Sequence, residues 1–144
     1  MIKNKFLFYF LSFTWGLPMT LFGCLGAITF LILGHRPYRY GYCYCFEIGN
    51  GWGGLNLGPI IIVSKKSSDH TKAHEHGHAI QNCWFGLLML FIVGIPSAIR
   101  YWYRELLVRS GRKKYSELAA YDSVWFEGAS STLGRKFIDW YNTK

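Results

Sequence analysis

Two uncharged blocks dominate the 144-residue chain, and the rest of the sequence is arranged around them. Residues 6–34 (FLFYFLSFTWGLPMTLFGCLGAITFLILG) run for 29 positions without a charge. About 20 apolar residues in a helix cover the hydrocarbon core of a bilayer, so this block predicts an N-terminal transmembrane helix with length to spare. Pro18, just after Gly16, interrupts helical hydrogen bonding and is expected to kink the span. Two spans are not expected, because the piece before Gly16 is too short to cross. Lys3 and Lys5 precede the block, and Arg36, Arg39 and three tyrosines (38, 40 and 42) follow it as an interfacial belt. The apolar region is too long for a signal peptide and no small-x-small cleavage site closes it, so an uncleaved anchor is expected.

The second block, 83–99 (CWFGLLMLFIVGIPSAI), has 17 uncharged residues broken by Gly94 and Pro96. It sits at the lower limit for a span, and the break favours a re-entrant or interfacial segment. Arg100, Arg104, Arg109, Arg112, Lys113 and Lys114 follow, with Trp102 and Tyr103 among them. Such a run suits a helix returning along anionic headgroups. Between the blocks, 38–48 and 53–64 are rich in aromatic and β-branched residues on either side of Gly49-Asn50-Gly51. This pattern predicts one antiparallel hairpin, with Pro59 placing part of its second strand at a sheet edge. A polar loop leads to Ser68 or Asp69 as a helix N-cap. The expected fold class is thus α+β and membrane-associated: a transmembrane anchor over 1–35, then a domain over 36–144 that includes the apolar segment 83–99.

Composition narrows the classes. The chain is 51% hydrophobic and 19% aromatic, with only 17% charged residues, which excludes a disordered polymer. Its net charge of +8 suits either nucleic acid or an anionic membrane surface. No nucleic-acid-binding module surrounds the basic run, and the adjoining apolar block points to lipid, so no nucleic-acid partner is expected. Fourteen of the 16 Lys+Arg lie after Gly34, which favours a cytoplasmic location for the larger portion. Cys43 and Cys45 are spaced poorly for a disulfide on a strand, and with Cys24 and Cys83 they form no cysteine zinc pattern. Gly49–Gly54 lacks the lysine and context of a phosphate-binding loop. Oligomeric state leaves no signature.

The sharpest signal is His74-Glu75-His76-Gly77-His78, an H-E-x-x-H pattern on the capped helix. Residues four apart on a helix stack on one face, so His74 and His78 can both offer a ring nitrogen to one metal ion. Glu75 is rotated about 100° from His74, beside the metal, where it can serve as general base. His76 is rotated about 200° and is expected to point away. His70 lies one turn before His74 on the metal face. Glycine in mid-helix costs about 1 kcal/mol against alanine, so Gly77 suggests close approach by another backbone.

The motif resembles the active-site helix of zinc metallopeptidases, and most closely the gluzincins. It is also similar to a group of small bacterial membrane proteins with an HE-x-GH-x-x-Q helix, a G-x-P-S stretch and a late E-x-x-A-D-x-LG-type helix. The matching residues are 74–81 (HEHGHAIQ), Gly94-Ile95-Pro96-Ser97, and 127–134 beginning at Glu127. The resemblance implies Zn²⁺ as cofactor, with Glu127, 49 residues after His78, as third ligand. Asp122 and Glu117 are the alternative acids. Where the gluzincin pattern places an acid that orients a histidine, this chain has Ser131, a weaker acceptor.

The expected activity is hydrolysis of peptide bonds in a peptide or protein substrate, with Glu75 as the base that activates water. Tyr115, Tyr121 and His70 are candidate oxyanion donors, and the strand over 57–63 is a candidate for binding extended substrate by edge addition. For Glu127 to join His74 and His78, the segment 83–99 must enter and return rather than cross. The competing expectation is a non-catalytic metal-binding membrane protein using His70, His74, His76 and His78.

Overall fold

A computed structural model describes residues 1–144 and shows an α+β fold in which a four-stranded sheet lies between helices. The first apolar block forms two helices, α1 (Lys5–Phe13) and α2 (Leu17–Ile32). They meet at 93°, so no single helix is long and apolar enough to cross a membrane. The expected kink is therefore a full corner. Its cause is local: α1 ends at Thr14, and Pro18 sits in the first turn of α2, where a missing N–H breaks no internal bond.

The sheet departs from the expected single hairpin. Strand β1 (Tyr38–Tyr40) pairs antiparallel with β2 (Cys43–Glu47), and β3 (Gly54–Leu57) pairs antiparallel with β4 (Ile60–Val63). The two segments flanking Asn50 are joined by β2 and β4, which run parallel, with Cys45 opposite Ile61 in the order β1-β2-β4-β3. Each segment contains its own tight turn. Gly41 (φ 58°) and Gly58 (φ 65°) adopt the left-handed backbone that these turns require. Pro59 thus occupies a turn and not an edge strand. The Ile60–Val63 strand is interior, with all four residues buried, and the free edge on that side is β3.

A strand covered on both faces explains the unbroken Ile-Ile-Ile-Val run. Ile61 and Val63 face Ala79, Ile80 and Cys83 of helix α3 (Asp69–Phe85), together with Cys43, Cys45, Phe8 and Phe137. Ile60 and Ile62 face the other way, with Phe46, against Ala27 and Phe30 of α2. The layers are therefore α2, sheet, then α3 with helix α5 (Trp125–Asn142). Residues of α1 and α2 share the core with the rest of the chain. Cys43, Cys45 and Cys83 are buried free thiols within it.

Ser68 caps α3, its hydroxyl accepting the Thr71 N–H at 3.2 Å. After α3, a short 3-10 turn (Gly86–Leu88) and a π-turn (Leu90–Gly94) lead into α4 (Ile95–Arg109). The chain bends by 116° between the two long helices. Gly86 at φ 54° ends α3, and Pro96 lies in the first turn of α4. A loop with two further 3-10 turns then carries the chain to α5.

Candidate metal centre

The site is built on the seam between α3 and α5. A Cβ at Gly77 would run into the Ser130 carbonyl, and one at Gly134 into the Ala73 carbonyl. Only glycine lets these backbones approach so closely, the contact expected from Gly77 in mid-helix. The approach carries Glu127, in the first turn of α5, over the His74–His78 face of α3.

There His74 Nε2 lies 3.0 Å from Glu127 Oε2, His78 Nε2 lies 3.1 Å from the same oxygen, and the two imidazole nitrogens are 3.1 Å apart. All three residues are buried. Three ligands at tetrahedral corners, each about 2.0–2.1 Å from zinc, stand roughly 3.4 Å from one another. The observed triangle is close to that.

Proton positions strengthen the fit. Gln81 donates its side-chain N–H to the Phe126 carbonyl at 2.8 Å, so its Oε1 is the atom facing His78 Nδ1 at 2.7 Å. An amide oxygen only accepts, so Nδ1 of His78 carries the hydrogen and Nε2 presents a lone pair. Ser131 Oγ lies 2.9 Å from His74 Nδ1; where this hydroxyl accepts, His74 Nε2 also presents a lone pair, and where it donates, Nε2 carries the hydrogen. Ser131 thus occupies, with a shorter side chain, the place of the expected orienting acid. With neutral rings and Ser131 accepting, the three converging atoms are all acceptors. In that arrangement a proton on one ring, or a metal ion held by all three, reconciles them.

Burial alone would raise the Glu127 carboxyl. The imidazoles of His74 and His78 and the Ser97 hydroxyl overcome this and hold it well below the usual carboxylate range. Ser97, at the start of α4, donates to Glu127 Oε1 and fixes the carboxylate. Glu75 behaves oppositely. Burial pushes its carboxyl up to about 7; His74 opposes the shift and the Glu127 charge adds to it. A Cβ at Gly54 would fall 2.5 Å from Glu75 Oε1, so the carboxyl rests against edge strand β3.

A cleft of about 790 Å³ opens over these groups. Its walls are β3 on one side and the π-turn and α4 on the other, with Met19 of α2 and Tyr121 also contributing. Burial, with Glu127 and Glu75 nearby, raises the Tyr121 phenol, which keeps it a donor. Its hydroxyl lies 3.4 Å from the Ser97 carbonyl oxygen.

The remaining sequence candidates fall elsewhere. His70 is exposed at the cleft rim. His76 points into the core, stacked on Phe137 at 4.2 Å, its Nε2 accepting the Tyr42 N–H at 3.2 Å. Burial pushes that imidazole down to about 3. Glu117 is exposed and caps the Lys114 N–H. Asp122 lies exposed at the cleft margin, and Tyr115 is exposed and bonded to Glu105. Two participants escaped assignment from the sequence. Gln81, three residues after His78 and hence on its face, carried a readable spacing signal; Ser97, from a distant helix, carried none of that kind and stood only in the Gly94–Ser97 stretch of the resemblance. No protein-family model, curated protein or solved structure matches the chain.

Proposed function

We propose that this chain is a membrane-associated, zinc-dependent metallopeptidase. The observation that carries the proposal is one cleft holding both a centre of three converging acceptors and a separate buried carboxyl, Glu75, whose affinity for protons is matched to neutral pH. His74, His78 and Glu127 would hold Zn²⁺, which supplies a Lewis acid for the scissile carbonyl and acidifies water. Glu75 takes a proton from the attacking water and passes it to the leaving amine. Tyr121, kept protonated, donates to the oxygen on which charge develops. Ser97, Gln81 and Ser131 hold the ligands in register. The free edge of β3 offers backbone groups to an extended substrate, so edge addition passes from the 57–63 segment to Gly54–Leu57.

Membrane association is supported by the outward faces of α2 and α4, where large apolar side chains stand in the open. The excess of Lys and Arg after residue 34 supports a cytoplasmic catalytic portion. Burial of His76 in the core argues against a four-histidine metal-handling cluster, which loses one member and keeps His70 only at the rim.

The test pairs metal analysis with Glu75→Gln. Wild type is expected to carry one zinc per chain and to hydrolyse peptides. The variant should keep the zinc and lose about 10²–10⁴ in turnover, the usual contribution of a general base. Retained hydrolysis in the variant, or a protein that binds no metal at this site, would reject the assignment.

A further inference from the structure

The two apolar helices do more than flank the site, because each has one face in or beside the cleft and another in the open. On α2, Met19 lines the cleft and Gly23 abuts the Leu57 carbonyl at the end of β3. Its opposite side carries Leu21, Leu25, Ile28 and Ile32 at helical spacing, 53–80% exposed. On the π-turn and α4, Val93, Ser97 and Tyr101 face the cleft. Phe91, Ile95, Ile99, Trp102 and Leu106 form a second helical stripe, 43–66% exposed. Trp102 belongs to both sets, at the cleft mouth and on the open stripe, so the two surfaces are continuous. Both stripes run into basic residues, Arg36 after the first and Arg109, Arg112 and Lys113 after the second, all exposed.

Apolar stripes ending in exposed cations match a layer of acyl chains bordered by anionic headgroups. If the stripes lie in that layer, two walls of the cleft stand at the headgroup boundary, and the mouth at Trp102 opens there and not into bulk water. Resting on the peptidase proposal, we infer that the substrate class is membrane-held polypeptide, cut in the stretch next to its anchor. An extended segment leaving the bilayer beside Trp102 would meet Glu75 and the free edge of β3 without first reaching water.

The full-length protein is reconstituted in phosphatidylcholine vesicles containing a minority of phosphatidylglycerol. A pooled library of random short segments is supplied in three forms: free, joined directly to a transmembrane helix, or joined to it through a Gly/Ser linker. A linker of about 30 residues spans roughly 30 Å and keeps the segment near the vesicle but away from its surface. Directly joined segments should be cut about tenfold or more faster than linked ones, in a reaction lost in Glu75→Gln. That contrast separates depth from the local concentration that tethering supplies to both. Equal cutting of joined and linked forms, or preferential cutting of free segments, would overturn the inference and leave the peptidase assignment standing. No Glu75-dependent cutting of any form would remove that assignment and this inference with it. Independently of turnover, a benzoylphenylalanine photo-crosslinker placed at Ile99 should form phospholipid adducts, and one at Lys136 on the polar face of α5 should not. Adducts at neither position, or equally at both, would also overturn it.

Discussion

The seam between α3 and α5 and the outer faces of α2 and α4 reverse the usual arrangement of a water-soluble domain. At the seam, Glu127 and Ser130 are 0% exposed, while on the outside Ile32 and Leu106 are 80% and 66% exposed. The two regions answer to different constraints. A buried polar group costs about 1–3 kcal/mol unless it finds a partner. The seam meets that cost at the three converging residues, through Gln81 to His78, Ser131 to His74 and Ser97 to Glu127, and leaves His76 Nδ1 without a partner. The outer faces make no such bonds and are defined by the medium that covers them. The interior is therefore set by the chemistry it can hold, and the exterior, on the membrane proposal, by a bilayer.

The most severe way to break the seam is Gly77→Leu. The side chain has no space against the Ser130 carbonyl, so α3 and α5 must separate. Overpacking of this kind costs about 3 kcal/mol or more when backbone is the obstacle. The expected outcome in detergent micelles is a large loss of unfolding free energy together with loss of bound zinc. A variant that keeps its full zinc content would show that the seam does not depend on backbone contact.

A milder change sharpens the same point at one bond. Ser131→Ala removes the partner of His74 Nδ1 and leaves the ligand itself in place. Loss of such a supporting bond costs about 10–100-fold in metal affinity. Competition with a chromophoric chelator should show that drop, and Ser131→Asp should recover it, because a carboxylate is the stronger acceptor. Unchanged affinity in Ser131→Ala would mean that packing alone holds His74.

Much of the seam was legible from one helix and little of what faces it. The i, i+4 histidines, the Ser68 cap and the meaning of Gly77 follow from helix geometry, which depends on a few neighbouring residues. Glu127 entered through a resemblance, since nothing local in 121–134 points 49 residues back to His78. The sheet was misread for a related reason. Asn50-Gly51 competes with Gly41 and Gly58 as a turn, and local turn chemistry does not decide among three glycines. The Ile60–Val63 run held the better clue: four consecutive buried apolar residues mark an interior strand, whereas a hairpin half exposed to water would alternate. The apolar block 6–34 was legible as apolar and as kinked at Pro18, but not as a full corner of 93°. Its inward residues, Met19, Thr20 and Gly23, are ordinary membrane-helix residues until the sheet is there to receive them.

The gentlest change tests the outside. Ile99 is 65% exposed on the α4 stripe, with few partners in the protein to lose. Ile99→Ser should therefore shift unfolding in micelles by less than about 0.5 kcal/mol, as surface substitutions do. The same change removes apolar area from the medium that the stripe faces. At about 25 cal/mol per Å², a partly inserted isoleucine contributes on the order of 1–2 kcal/mol to partitioning into vesicles, or roughly tenfold. A vesicle flotation series against phosphatidylglycerol content reads that difference, with the α2 stripe keeping binding measurable. A matching loss of stability in micelles would mean that Ile99 belongs to the fold. Unchanged flotation would mean that this stripe meets water or protein, and the inversion between seam and surface would then need another cause. A small effect on folding with a tenfold effect on partitioning is the signature of a side chain whose partner is lipid.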